Sequence, residues 1–548
     1  MNQPIAQTQA GVPIESGQSA TSPAWRRALV VCSMAALLWS IAARVLGPSD
    51  VWDQRQPRTV SYTTDIIVNG GDHWILPVEQ GKYPATKPPL YNWLAVPMVK
   101  VLGFSSDLAH KSPSVIALCL CWLAVVRLGR FVDAAHGQTV GWLAGLMLAA
   151  NYTTFKLGYL ARPDMLLTLW LLLGWLAATA LLTSPDNAMR AGNARALRLA
   201  FWLCVALAAL TKGPPAIILP LYALLAARCL RGSWRAAAVF GWSWGLPLSI
   251  GLFGSWVWGV YRIDAQHLIQ TLWFEEFFGR VTGLGSEGNV GGPMEFFRRI
   301  LHMPLYYLSR FAPWSILSIL AMVALWSRGA AGTTKRTRYW QKIAHGAGAW
   351  LHGAAILVVL IVALFTLSTG KRADYIAAAI PPGSLLAAWW LLRIPPRWGI
   401  AAPWLAPAVA VVFLASMTVY NQLELNAPQP GFGNAINRFA VHAEAQIRAE
   451  PRPVAFWATE RTYLQSYLGP SGQDASEALR QLLQAADPFW LVAGQRANPP
   501  VTVHDWLRNE HLKATLTEVS RSDRYDGTSL WPGQVVLYRV DPARQEQR

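Results

Sequence analysis

Apolar stretches of about 20 residues recur along the chain, and each is long enough to cross a bilayer as a helix. In hydrocarbon every backbone polar group must be satisfied internally. Spanning segments are therefore helices or a closed barrel, and long unbroken apolar runs choose helices. The 548-residue chain is 53% hydrophobic and only 14% charged, with mean hydropathy +0.26. Soluble domains carry about 25% charged residues. The 28 tryptophans suit a protein that meets membrane–water interfaces. The expected class is an all-α polytopic membrane protein.

The formal charge of +17 would suggest nucleic acid in a soluble protein. In a membrane chain it is better explained by Lys and Arg anchoring cytoplasmic loops, and no nucleic-acid partner is expected. Cys32, Cys119, Cys121, Cys204 and Cys229 all fall in apolar segments. They read as small core residues rather than a disulfide framework.

Residues 1–24, rich in Gln, Ser, Pro and Gly, are expected to be disordered. Arg26-Arg27 then open an apolar run to Leu46, read as an uncleaved first span rather than a signal peptide. Further spans are expected near 113–131, 138–156, 164–183, 198–212, 214–231, 236–260, 304–326, 350–368, 374–393 and 400–420. That gives about 11 spans, or up to about 13 if Pro-containing runs split. With the N-terminus inside, every predicted inner loop is basic, as at Arg127/Arg130, Arg195/Arg198, Arg228/Arg231 and Arg393/Arg397. The transmembrane region then covers 25–421, with outer loops at 47–112 and 261–303. The tail, 422–548, alternates short strand-like runs such as "VVLYRV" with helix-like ones such as "SEALRQLLQAAD". It reads as a small soluble α/β domain on the outer, non-cytoplasmic side.

Four cationic motifs fall on that outer face: Lys87 in "ATKPPLYNW", Arg162 in "LARPDM", Lys212 in "LTKGPP", and Lys371-Arg372 in "STGKRADY". Outer cations oppose the topology rule. Snorkelling explains any one of them. Four sites on one face argue instead for an anionic ligand. The first outer loop adds the carboxylates Asp53, Asp65, Asp72 and Glu79. A carboxylate can serve as general base and a cation can stabilise a leaving phosphate.

With "DQRQPRTVSYTTDIIVNGG", "YLARPDMLLTLWLLLG", "WFEEFFGRVTG" and "LYYLSRFAPWS", these pieces occur in the order seen in GT-C membrane glycosyltransferases. The chain resembles the aminoarabinose lipid A transferases and protein O-mannosyltransferases over about residues 27–393. The resemblance implies a polyprenyl-phosphate sugar donor and inverting transfer to a lipid, glycan or protein acceptor. It implies a plasma or inner membrane location, with the active site on the non-cytoplasmic side. By position, Lys87, Arg162, Lys212, Lys371 and Arg372 would line the donor phosphate pocket, with Arg58 and Tyr375 beside it. Asp164 would hold Arg162 or shape the first-loop site; it could equally cap the following helix. Glu276 and Arg280 would contribute from the later loop, or form a local ion pair there.

The chain departs from the family pattern at its base. The usual Asp-Glu pair is replaced by Arg55-Gln56, and Thr86 stands where a Glu usually precedes the lysine of "KPP". Asp53 is the first candidate base and Asp65 the second. No cofactor is required by this chemistry. A divalent metal stays open through His73, His267 and His302, although no spacing among them reads as a ligand set, and no metal ligand is assigned. A transporter or flippase of lipid-linked substrates and a non-catalytic polyprenyl-phosphate-binding relative are the rival readings.

Overall fold

The structure, a computed structural model, describes residues 23–542 apart from 54, 80, 134–135, 184–190, 279–292, 331–346, 369–370, 395–403, 426, 460–462, 469–474, 486, 498–499 and 525–531. The chain is a multi-pass membrane protein. Helix α1 (Pro23–Val45) is the first span, and a long loop follows. This loop holds α2 (Gln56–Asn69), a two-residue hairpin of β1 (Val78–Glu79) and β2 (Tyr83–Pro84), and α3 (Leu90–Leu102). The bundle continues through α4 (Asp107–Val132), α5 (Gly137–Ala149), α6 (Tyr152–Leu157), α7 (Asp164–Thr183), α8 (Ala191–Lys212), α9 (Ile218–Arg231), α10 (Trp242–Ile263), α11 (Pro293–Arg310), α12 (Trp314–Ala330), α13 (Ala347–Leu367), α14 (Ile380–Leu391) and α15 (Leu405–Gln422).

Among the described residues, seven helices are long and apolar enough to cross a bilayer, and two bent pairs raise this to nine. Three of the expected spans take a different form. The 138–156 run breaks at Asn151, whose side chain accepts from Thr154 N and donates to Met147 O and Leu148 O. The amide thus ends α5 and starts α6. The 374–393 run begins as a 3-10 segment, Ala373–Ala379, and becomes α-helical only where Pro381-Pro382 sit in the first turn. Prolines there forfeit no intrahelical bond. The 304–326 run is bent by 117° between α11 and α12, at Ala312-Pro313. Proline cannot continue the hydrogen-bond ladder of the preceding turn.

Of these pieces, α5 and α14 sit inside the bundle. All of α5 but Gln138 and Trp142 is buried. Helices α4 and α5 meet at glycines, and a Cβ on Gly141 would stand 2.1 Å from the Val126 carbonyl oxygen. By contrast, α1, α10 and α15 turn large apolar side chains outward, as at Leu38 (63% exposed), Trp258 (62%) and Val412 (66%). Those faces suit hydrocarbon, the solvent of the spanning helices.

After α15 come α16 (Phe432–Ala449), β3 (Val454–Trp457), α17 (Leu464–Leu468), α18 (Ala475–Ala485), β4 (Phe489–Ala497), β5 (Pro500–Val501), α19 (Val503–Asn509), β6 (Ala514–Arg521) and β7 (Pro532–Pro542). The sheet order is β3-β4-β7-β6, with β3 parallel to β4, the other neighbours antiparallel, and β5 paired to the end of β4. One face packs on α16 and α17, the other on α18 and α19. The first of these cores also takes in Val51, Val60 and Ala161. The C-terminal unit is therefore docked on the first loop. Glu444 of α16 accepts from the backbone N–H groups of Phe104 (2.8 Å) and Ser105 (2.7 Å). Gly103 lies beneath it at φ +99, a conformation that disfavours side chains.

A buried charge chain fastens this junction. Arg44 of α1 pairs with Asp50 at 2.6 Å, and Lys111 of α4 pairs with Asp50 at 2.7 Å and Asp107 at 2.8 Å. The Tyr467 hydroxyl of α17 donates to Asp107. Burial would raise the Asp50 carboxyl, but Arg44 and Lys111 outweigh it and hold the group well below the ordinary carboxylate range. The lowered value means that the carboxylate stabilises the fold fully above its unfolded pKa of about 3.9, and loses that effect as pH falls further. Asp50→Asn should lower the melting temperature in detergent at neutral pH. The gap to wild type should hold from pH 7 to about 5 and narrow below about pH 4. A gap that widens on acidification would contradict this assignment.

Candidate functional site

Two segments of the first loop and three helix ends meet around one open cavity of roughly 710 Å³, mouth included. The start of α2 supplies Arg55, Arg58, Thr59 and Tyr62. The segment into α3 supplies Thr86, Lys87, Pro88, Tyr91 and Asn92. Arg162-Pro163 come from the approach to α7, Thr211 from the end of α8, and Arg372 from the turn after α13.

Local hydrogen bonds explain why these segments converge. The buried Gln56 side chain donates to Asp50 O (2.7 Å) and accepts from Ala161 N (2.9 Å), tying the start of α2 to the strand of chain before α7. Asn92 donates to Thr59 O (2.8 Å) and Thr63 Oγ1 (2.9 Å), which fixes α3 on α2. Ser114 donates to Leu160 O at 2.6 Å, and the Tyr91 hydroxyl lies 3.0 Å from the same oxygen. The backbone just before Arg162 is thereby held from two sides.

Among the described residues that line it, five are cations, Arg55, Arg58, Lys87, Arg162 and Arg372, and none is a carboxylate. The balancing carboxylates stand behind the wall. Glu79 holds Arg58 at 2.7 Å. Arg162 is gripped by Asp374 at 2.8 Å and Asp164 at 3.1 Å. Burial disfavours the Arg162 charge, yet Asp164 and Asp374 overcome this and raise its pKa further. Asp164 is itself buried and takes its second cation from Lys212, while Lys87 also attracts it. A low-dielectric wall with cations in front and shared carboxylates behind is suited to an anion with several acceptor oxygens.

The expected residues divide on inspection. Arg58, Lys87, Arg162 and Arg372 line the cavity together. Lys371 does not; its Nζ donates to Thr366 O at 2.8 Å and closes the end of α13. Lys212 does not either. It neutralises Asp164 and lies 4.6 Å from the centre of the Tyr375 ring, which packs on Phe365. Asp164 shapes the wall from behind. Asp65, the second candidate base, is a buried staple between α2 and the hairpin. It accepts from Asn69 Nδ2 and Val78 N and pairs with His73 Nδ1, each at 2.7 Å. Asp53 lines a neighbouring cavity instead. The Glu276 side chain and Arg280 lie outside the described residues.

Asp374, Arg55 and Glu79 carry weight that the sequence reading did not give them. Asp374 stood in plain view within "KRADY", three residues past Lys371. Among the described residues no group of three His, Cys, Asp or Glu side chains gathers as a metal site would. His267 contacts Ala85 O and His302 stacks on Tyr306.

No family model matches the chain, and no curated protein matches it in sequence. Solved structures do match. ArnT from Cupriavidus metallidurans bound to undecaprenyl phosphate aligns over 96% of this chain and 100% of its own, with TM-score 0.63 at 16% identity. Its apo state aligns over 94% and 98%, with TM-score 0.61 at 16% identity. The apo oligosaccharyltransferase of Archaeoglobus fulgidus matches 86% of this chain and 70% of that one, with TM-score 0.51 at 11% identity. The chain has the GT-C fold. The cationic cavity is thus set in a GT-C bundle, at the junction of its first loop and its helix ends.

Within this GT-C wall, Lys212 and Lys371 should behave differently on removal. Lys212→Met leaves the buried Asp164 short of a cation, and breaking such a pair costs about 3–5 kcal/mol. Lys371→Met removes its hydrogen bond to the Thr366 carbonyl, worth about 1 kcal/mol. Thermal unfolding in detergent should show a large drop for the first and a small one for the second. Equal drops would refute the division.

Proposed function

We propose that this chain is an integral-membrane, inverting glycosyltransferase. It moves a sugar from a polyprenyl-phosphate donor to a lipid, glycan or protein acceptor on the non-cytoplasmic face. The carrying observation is the cavity that gathers five cations in the GT-C architecture. Undecaprenyl phosphate, bound in the similar ArnT structure, is the ligand class whose head would suit it.

The chemistry follows from charge. The donor phosphate enters from the lipid side and is met by Lys87, Arg162 and Arg372, with Arg55 and Arg58 from the loop. An acceptor oxygen attacks the sugar carbon from the side opposite the phosphate. The carbon–oxygen bond to phosphate breaks, and its electron pair goes to the phosphate oxygen. The cations stabilise the charge that builds there, most strongly from the buried Arg162. Asp53 takes the acceptor proton in this reading, from the neighbouring cavity. The carboxylates Asp164 and Asp374 keep Arg162 aimed and charged.

One observation favours a rival: among the described residues, no carboxylate lines the cationic cavity itself. A protein that only binds polyprenyl phosphate needs none. Comparing envelope glycans and glycolipids from cells with and without the chain separates the two, since binding alone creates no new linkage.

Each charge-assisted hydrogen bond to an anion is worth about 1.5–3 kcal/mol, and about 1.4 kcal/mol is tenfold in affinity. Lys87→Ala and Arg372→Ala should each weaken undecaprenyl-phosphate binding in nanodiscs by about tenfold or more. Lys371→Ala, outside the cavity, should change it less than about threefold. If Lys371→Ala has the large effect and Arg372→Ala none, the phosphate lies elsewhere.

A further inference from the structure

A second cavity, roughly 650 Å³ with its mouth, adjoins the first. Three features relate the two. Lys156 lines the second cavity and Arg162 lines the first, and both hold the one carboxylate of Asp374, at 3.4 and 2.8 Å. The turn of chain that puts Asp53 on the second cavity puts Arg55 on the first. Gln56 N donates to Asp53 O at 3.1 Å. The partition thus includes a side-chain ion pair and this backbone contact.

The two linings differ in kind. The second carries carboxylates, Asp53 among them, and the aromatic rings of Trp52, Tyr152 and Tyr420. Its cations are already engaged: Arg44 by Asp50 at 2.6 Å and Lys156 by Asp374. An anionic group entering here meets carboxylates and paired cations. A neutral polyol instead finds acceptors for its hydroxyls and flat rings for its apolar faces, the mixed lining of a specific small-molecule site.

We infer that the second cavity seats the acceptor, and that the acceptor is a saccharide hydroxyl. This rests on the donor reading given above. Asp53 accepts the proton of the acceptor O–H. The acceptor oxygen bonds the sugar carbon as that carbon leaves the donor phosphate, and the polyprenyl phosphate stays in the cationic cavity. The thin partition between the cavities is where the bond forms.

The experiment has two readouts on the full-length protein. Undecaprenyl-phosphate affinity in nanodiscs reports the donor cavity. Product from cells carrying wild type, Asp53→Asn or Ala427→Trp, compared with cells lacking the chain, reports transfer and its linkage. Ala427 lines the second cavity, and an indole there would intrude on it. Both variants should bind undecaprenyl phosphate within about twofold of wild type. Asp53→Asn should lower product by roughly a hundredfold or more, the usual scale of a lost general base, and Ala427→Trp by at least about tenfold. The wild-type product should carry an acid-stable glycosidic bond to a saccharide carbon. A bond to phosphate or to a Ser or Thr side chain overturns the inference. So does wild-type product from both variants, or loss of undecaprenyl-phosphate binding in both, which would make the cavities one site. A wild-type protein that binds no undecaprenyl phosphate overturns the donor reading itself, and this inference with it.

Discussion

The buried carboxylate of Asp164 sets the terms for everything around it. At the first turn of α7, with its side chain 3% exposed, it requires positive partners from wherever the fold can bring them. Lys212 comes from the end of α8 and Arg162 from the residue but one before it. Arg162 in turn recruits Asp374 from the turn after α13, and Asp374 recruits Lys156 from α6. Four separate parts of the chain are thus locked by alternating charges. Such a lattice is costly to bury and rigid once satisfied. Its rigidity keeps the face of the wall open: cations fixed from behind cannot fold back on one another to relieve repulsion.

A second lattice of the same kind does a different job. Arg44, Asp50, Lys111 and Asp107 run through the base of the bundle and end on Tyr467 of the C-terminal unit. Here the charges are matched two against two, with no surplus. The first lattice leaves its cations facing a cavity. The second turns its charges on one another, with Lys111 fully buried and Arg44 and Asp50 paired at the edge of a neighbouring cavity. The contrast separates a charge network that presents a surface from one that joins two.

The hydrophobic record was enough to read the class, the order of the spans and the separate character of the tail. It reads less well where single residues override periodicity. Asn151 cuts one apolar run by bonding its own backbone, and Pro313 bends another. Both effects are local hydrogen-bond chemistry that average hydropathy cannot register. Among the cations, sequence placed Lys87, Arg162 and Arg372 on one end of the bundle, where they do converge. It could not tell Arg372 from Lys371, because adjacent residues in a turn point apart and only the turn decides which faces in. Lys212 was legible as a cation but not as the partner of a carboxylate 48 positions earlier. Asp65 shows the converse. An acidic residue on a helix looks available until the hairpin that folds over it is seen, here through Val78 and His73.

The Glu444 carboxylate receives the backbone of Phe104 and Ser105, and Thr64 donates to Ser466 O. These contacts join the earliest extramembrane segment to the last third of the chain. During synthesis the first loop must wait, after it leaves the ribosome, for more than three hundred further residues before its underside is covered. Insertion of the bundle and completion of the loop are consequently separate events in time. A chain cut short before α16 could hold its spans in the bilayer and still present an unfinished loop, an opening for surveillance proteases that recognise incomplete assembly.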